Sequence, residues 1–126
     1  MKVLTIKQPY ASAVVYGYKT FEFRSWKTNY RGKILIHAAM TKDNDSITKF
    51  GKYHLDYNFG MIIGEVELLD CIPVDDDLDR SLREQDDVIY EHNHIGKYAW
   101  KFSNPVIYSS PIKVKGKLGL WNYYEN

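Results

Sequence analysis

Gly60 to Val74, GMIIGEVELLDCIPV, is the stretch on which the fold turns. The run is rich in β-branched and other apolar residues, is long for one strand, and carries Gly64 where a strand would bend at a barrel corner. A strand of that kind is shared by two sides of a coiled sheet. Upstream, Lys33 to Ala38 (KILIHA) is apolar on both faces and reads as a central strand. Further upstream, Lys2 to Ile6 alternates as a short strand. Gln8-Pro9-Tyr10 then opens a helix of at most about nine residues, with Pro in its first turn and Gly17 at its end. Lys19 to Trp26 has period two, with Phe21 and Phe23 on a core face and Thr20, Glu22, Arg24 and Trp26 on a chemical face. Asn29 to Gly32 makes a turn, and residues 41 to 58 read as a loop with a short helix.

Downstream, residues 75 to 94 read as an acidic helical segment, capped by Asp79 and touching the core through Leu78, Leu82 and Ile89. Tyr98 to Phe102 alternates as a strand, Pro105 and Pro111 limit the pairing between them, and Ile112 to Tyr123 supplies a last strand pair. No repeat, low-complexity tract or linker interrupts the chain. The pattern predicts a single domain over residues 1–126, of α+β class, built on a small, mostly antiparallel β-barrel with flanking short helices.

The 126 residues suffice for one hydrophobic core, and 44% hydrophobic with 26% charged residues is globular composition. No run approaches a membrane span and the N-terminus lacks a signal-peptide pattern, so a cytoplasmic location is expected. Cys71 is the only cysteine, which excludes an internal disulfide and suits a reducing compartment. Set in an apolar strand with no base nearby, it reads as buried and inert.

Charge is uneven along the chain. Residues 1 to 36 hold five lysines and two arginines against Glu22 alone, and residues 95 to 117 hold five lysines and no acid. Between them, residues 65 to 91 hold eleven acids against Arg80 and Arg83. Two basic ends that meet in the fold would make one basic face, with the acidic segment 75 to 94 projecting away from it and an anionic ligand steered to the basic side. Charge segregation kept for solubility explains the same numbers.

Gly17, Lys19, Glu22 and Arg24 form the most pointed cluster, at the mouth of a strand. A cation, a carboxylate and a guanidinium gathered there suit a phosphate or a polar base edge, and a desolvated lysine can act as a general base. A surface ion-pair ladder has the same spacing. Aromatic residues make up 15% of the chain and many adjoin cations, the pattern that unstacked bases need. Trp100, Phe102 and Trp121 read as core, whereas Tyr10, Trp26 and Tyr30 stand beside the polar cluster and form a candidate stacking wall. His92-Asn93-His94 reads as a solvated loop and His37 as a hydrogen-bonded core or pocket histidine, so no metal site is expected. No P-loop, G-x-G-x-x-G or G-x-S-x-G is present, and no cofactor is expected.

Leu4 to Ala11 (LTIKQPYA) followed by Gly17 to Arg24 (GYKTFEFR) resembles the ASCH domain and its G-x-K-x-x-E-x-R signature. The likeness continues through Ser25 to Gly32 (SWKTNYRG), Ile34 to Ala38, Ile63 to Leu68, Tyr98 to Trp100, Asn104-Pro105 and Pro111 to Trp121, and so spans nearly the whole chain. It implies a PUA-like fold and an RNA or modified-nucleoside partner held in a cleft around the signature, in RNA processing or regulation; from the residues, no membrane and no obligate protein partner are expected. Lys19 and Glu22 would be the catalytic pair of any enzyme of this kind. Gln8, Tyr10, Arg24, Trp26, Tyr30, Arg31 and Lys117 would contact RNA. The alternative it implies is a metal-independent hydrolase, either a ribonuclease or an amidohydrolase of N4-acetylcytidine. The amidohydrolase pattern has a Thr three residues after the motif lysine, where this chain has Glu22.

Overall fold

The computed structural model describes residues 1–125. Its elements run β1 (Lys2–Gln8), α1 (Tyr10–Val15), β2 (Phe21–Arg24), β3 (Gly32–Lys42), α2 (Asn44–Lys49), a tight turn at Phe50–Tyr53, β4 (Met61–Pro73), α3 (Asp76–Gln85), β5 (Tyr98–Lys113) and β6 (Leu120–Asn122). The strands form one six-stranded sheet in the order β2-β5-β4-β3-β1-β6. Every pairing is antiparallel except β1 with β3. As the apolar runs require, β4 and β3 are interior strands, and Leu4, Ile6, Ile34, Ile36, Ile63, Val66 and Leu68 pack with Val14 and Val15 of α1 and with the fully buried Trp100. Truncating an aromatic of that burial to Ala costs about 3–5 kcal/mol.

Gly64 allows this layer to close. A Cβ there would lie 2.2 Å from the Val106 carbonyl oxygen and 2.8 Å from Cγ1 of Val15, so any side chain would push β5 and α1 apart. The register of β4 with β5 shifts at the same place, between Ile62 and Gly64, and the sheet curls. It does not close into a barrel: β2 and β6 remain as edges, and the expected barrel is only approximate. β6 pairs only with Lys2 to Leu4 of β1, leaving the rest of that edge of β1 without a neighbouring strand. Across the opening the Arg24 guanidinium of β2 donates to the Thr5 carbonyl of β1 at 2.8 Å. A side chain stands where a barrel would have a backbone ladder.

A second cluster, Ala13, Phe50, Leu82, Ile89 and Tyr90, binds α3 and the following turn to α1 and β2. Trp121 joins Val3, Leu35 and Ile62 in a third, so the core assignment of Trp100, Phe102 and Trp121 matches their burial.

Several local expectations are corrected. Asp75, not Asp79, caps α3 by accepting the Leu78 N–H, while Asp79 is buried. β5 continues through Pro105 and Pro111 because both lie at breaks of register with β4, where the ladder asks for no N–H. Ile112 belongs to β5, so the expected last strand pair reduces to the short β6. On β2 the polar Glu22 is more buried than Phe21 or Phe23. Cys71 is half-buried, not enclosed.

Candidate functional site

The opening between β2 and β1 is the mouth of a cleft of about 580 Å³. Its floor comes from the signature. Gly17 at φ +84° reverses the chain after α1, and the N–H groups of Tyr18 and Lys19 both donate to the Ala13 carbonyl at 3.0 Å, so Lys19 is drawn beneath the helix. Its ammonium is 3% exposed, donates to the Phe21 carbonyl at 2.5 Å and lies 3.6 Å from Glu22 Oε1. It also stands 4.5 Å from the Phe23 ring centroid and 5.1 Å from that of Tyr90. Arg24 donates to Glu22 Oε2 at 3.1 Å, so one buried carboxylate sits between two cations. Burial pulls the Lys19 ammonium down to about 8, with Arg24 adding to the effect and Glu22 opposing it. Such a group gives or takes a proton near neutral pH.

Aromatic rings wall the cleft. Tyr10 is held by a 2.7 Å hydrogen bond to Ser46 Oγ and by edge contact with Phe50. The His94 ring stacks on Phe23 at 3.7 Å and 15°. The His94 backbone N–H donates to the buried Asp79 at 3.2 Å, and Asp79 pairs with Arg83 at 2.5 Å. Burial first, then the charges of Lys19 and Lys97, push His94 down to about 4 against the pull of Asp79 and Glu22. Its imidazole is therefore neutral at neutral pH, one nitrogen a donor and the other an acceptor. Lys7, Lys97 and Lys117 also line the cleft, with Asp43 as its carboxylate besides Glu22.

The profile of the ASCH domain matches residues 4–114 of the chain. The chain belongs to the ASCH family. It is thus a domain of PUA-like fold associated with RNA binding. It is 28% identical over 128 aligned positions to Activating signal cointegrator 1 of Homo sapiens and 27% identical to that of Mus musculus, covering in each case 91% of this chain and 21% of the relative. The chain spans about a fifth of the length of these relatives. Among solved structures it resembles ASCH from Zymomonas mobilis, with a TM-score of 0.57 and 18% identity over 89% of this chain and 72% of that one, a likeness of fold.

In this ASCH domain Lys19, Glu22, Arg24, Tyr10 and Lys117 all line the cleft. Gln8, Trp26, Tyr30 and Arg31 do not. Gln8 is fully buried as a joint between β1 and α1: its Oε1 accepts the Ser12 N–H at 2.9 Å and its Nε2 donates to Ser12 Oγ and the Asn58 carbonyl. Trp26 rests edge-on against Trp100, and the Tyr30 hydroxyl donates to the Lys33 carbonyl at 2.7 Å. Arg31 donates to the Thr28 and Tyr30 carbonyls and pairs with Asp70 at 3.5 Å. Of the three rings expected to form a stacking wall only Tyr10 lines the cleft, and Phe23 and His94 line it as well.

The acidic segment does not project away from the basic surface along its whole length. Its end folds back, so that Ile89 and residues 92–94 line the cleft and His94 is part of a wall, not of a solvated loop. The apolar pair Ile89-Tyr90 just before His92 was the available signal, since both residues are buried and fix the loop that follows. Among the described residues no group of three His, Cys, Asp or Glu side chains is arranged to hold a metal ion, and no helix is long and apolar enough to cross a membrane.

Proposed function

We propose that this cleft binds RNA or a modified nucleoside, in RNA processing or regulation. A base would lie against Tyr10 and the Phe23–His94 stack, with its polar edge toward Lys19, Glu22 and Arg24. Lys7, Lys97 and Lys117 would take the phosphates, where mobile ammonium groups suffice because phosphate contacts hold position and carry no sequence information. The observation that supports this reading is the buried Lys19–Glu22 pair, with the half-buried Arg24 beside it, at the floor of a nucleoside-sized cleft. Burying Lys19 and Glu22 is costly, and a fold that needed only stability would fill the space with apolar side chains.

The reading is tested by measuring affinity for a single-stranded RNA against salt. Three to five phosphate contacts give a log–log slope of roughly −2 to −3.5. Lys19→Met should weaken binding by roughly 1.5–3 kcal/mol, the value of a charge-assisted hydrogen bond, while near-ultraviolet circular dichroism stays that of the parent. A flat salt response, or full affinity in the variant, contradicts the proposal.

The lowered protonation range of Lys19 favours a second reading, hydrolysis of a modified base or of a phosphodiester. Lys19 would take a proton from water or hold an oxyanion, Glu22 would pass the proton on, and Arg24 would anchor the anionic part of the substrate. Mass spectrometry after incubation with a panel of nucleosides and RNAs separates deacetylation, cleavage and binding without turnover. In the hydrolytic case Lys19→Met lowers turnover by roughly 10²–10⁴.

A further inference from the structure

Leu118 is 98% exposed, more than any other large apolar side chain among the described residues, and it stands at the mouth of the cleft. Single exposed leucines are ordinary on protein surfaces. What distinguishes this one is the backbone that carries it. The segment from Val114 to Gly119 is pinned from below: His37 Nε2 donates to the Val114 carbonyl at 2.7 Å, and the Val114 N–H donates to the Gly60 carbonyl. Gly116 lies so close over the His37 ring that a Cβ there would be 2.7 Å from Cε1. Gly119, at φ +69°, then turns the chain into β6, where Trp121 Nε1 donates to Thr5 Oγ1 at 2.9 Å. An anchored loop thus throws one apolar side chain outward, with the exposed Lys115 and Lys117 on either side of Gly116 and Lys117 directly before it.

We propose that Leu118 is a wedge that enters a stacked RNA helix and fills the place of a nucleotide drawn into the cleft, so that the substrate class includes base-paired RNA and not only single strands. The inference rests on the cleft being a base site. Its physics is that of an apolar side chain inserted at a base step while neighbouring cations hold the backbone. A base in a duplex cannot reach a floor as deep as Lys19 and Glu22 without leaving the stack, and a side chain that occupies the gap offsets part of the unstacking penalty. The adjacent lysines are placed to hold phosphates on the strand from which the nucleotide leaves. A polar loop tip could supply the charge but not the replacement for the missing base.

The test uses two RNAs carrying the fluorescent base aminopurine, one single-stranded and one a short duplex with aminopurine next to a mismatched nucleotide, with the parent and Leu118→Ser. Aminopurine is quenched between stacked bases and brightens when its neighbour leaves the stack, which keeps the readout clear of the aromatic walls of the cleft. The parent should brighten the duplex severalfold. Leu118→Ser should lose most of that rise, and its ratio of duplex to single-strand affinity should fall by roughly tenfold or more, the scale set by the unstacking penalty. Equal brightening by parent and variant overturns the wedge. Binding of the single strand by the parent with no brightening of the duplex overturns extrusion while leaving the cleft reading in place. Absence of binding to either RNA removes the base site itself and the wedge with it.

Discussion

Two regions of this ASCH domain look alike as sequence and differ as structure. The cleft sets Tyr10 and Phe23 beside Lys19 and Arg24, and the turn after β2 sets Trp26 and Tyr30 beside Arg31. Both interleave aromatic rings with cations, the pattern expected of a nucleic-acid surface. In the turn each group has found a local partner: Trp26 packs on Trp100, Tyr30 on its own turn, and Arg31 on two carbonyls and Asp70. In the cleft the cations share one buried carboxylate and the rings face a cavity. Composition marks what a segment could bind, and concavity decides whether anything is left free to bind it.

The contrast is sharpest at the two ion pairs. Glu22 is the counter-charge of two cations in the floor, whereas Asp70 pairs with Arg31 where both side chains are about half exposed. Glu22→Ala leaves Lys19 buried without an anion and should cost about 3 kcal/mol of unfolding free energy, whereas Asp70→Ala should cost less than about 1 kcal/mol. Urea denaturation of the two variants measures the difference. Equal effects would mean that the floor is solvated like the turn.

How much of this was legible before the fold was known follows from where each partner lies in the chain. Gly17, Lys19, Glu22 and Arg24 could be read because a left-handed glycine and a strand of period two fix them within one short segment. KILIHA and the Gly64 bend were legible for the same local reason. The position of Trp26, Tyr30 and Arg31 outside the cleft was not, since Trp100 and Asp70 reach them only through the pairing of β2 with β5 and of β4 with β3. His94 was missed because its stacking partner Phe23 and its anchor Asp79 come from different elements, and nothing in the sequence HNH announces either. The barrel is only approximate for a similar reason: the apolar periodicity shows that a sheet curls, but the absence of a ladder between β1 and β2 goes with the Arg24 side chain in the gap.

A second prediction uses the rings. Tyr10→Ala should weaken RNA binding by roughly 1–3 kcal/mol, the value of a stacked base, while Trp26→Ala should leave it within about 0.5 kcal/mol, as for a substitution away from the site. Fluorescence anisotropy with one labelled RNA reads both. The reverse order would move the binding surface to the turn.

The smallest effect concerns acid. The protonation range of His94 lies near 4 in the fold against 6.5 for a free side chain, so the unfolded chain binds the extra proton between these values. The stability contributed by the neutral ring is complete above pH 6.5 and is lost as pH falls toward 4, by about 1–2 kcal/mol after allowance for partial exposure. His94→Gln should lose less stability than the parent over that range, as read from urea midpoints at several pH values. The turn carries no histidine and offers no counterpart. A parent and variant with parallel pH profiles would mean that His94 is solvated.

Photo-crosslinking of a bound single-stranded RNA, followed by mass spectrometric location of the linked residues, decides most directly between the two regions. Crosslinks are expected at Tyr10, Phe23 and His94, and all of them should disappear when excess unlabelled RNA is added. Crosslinks confined to Trp26 and Tyr30, from a protein that binds the same RNA, would contradict binding in the cleft.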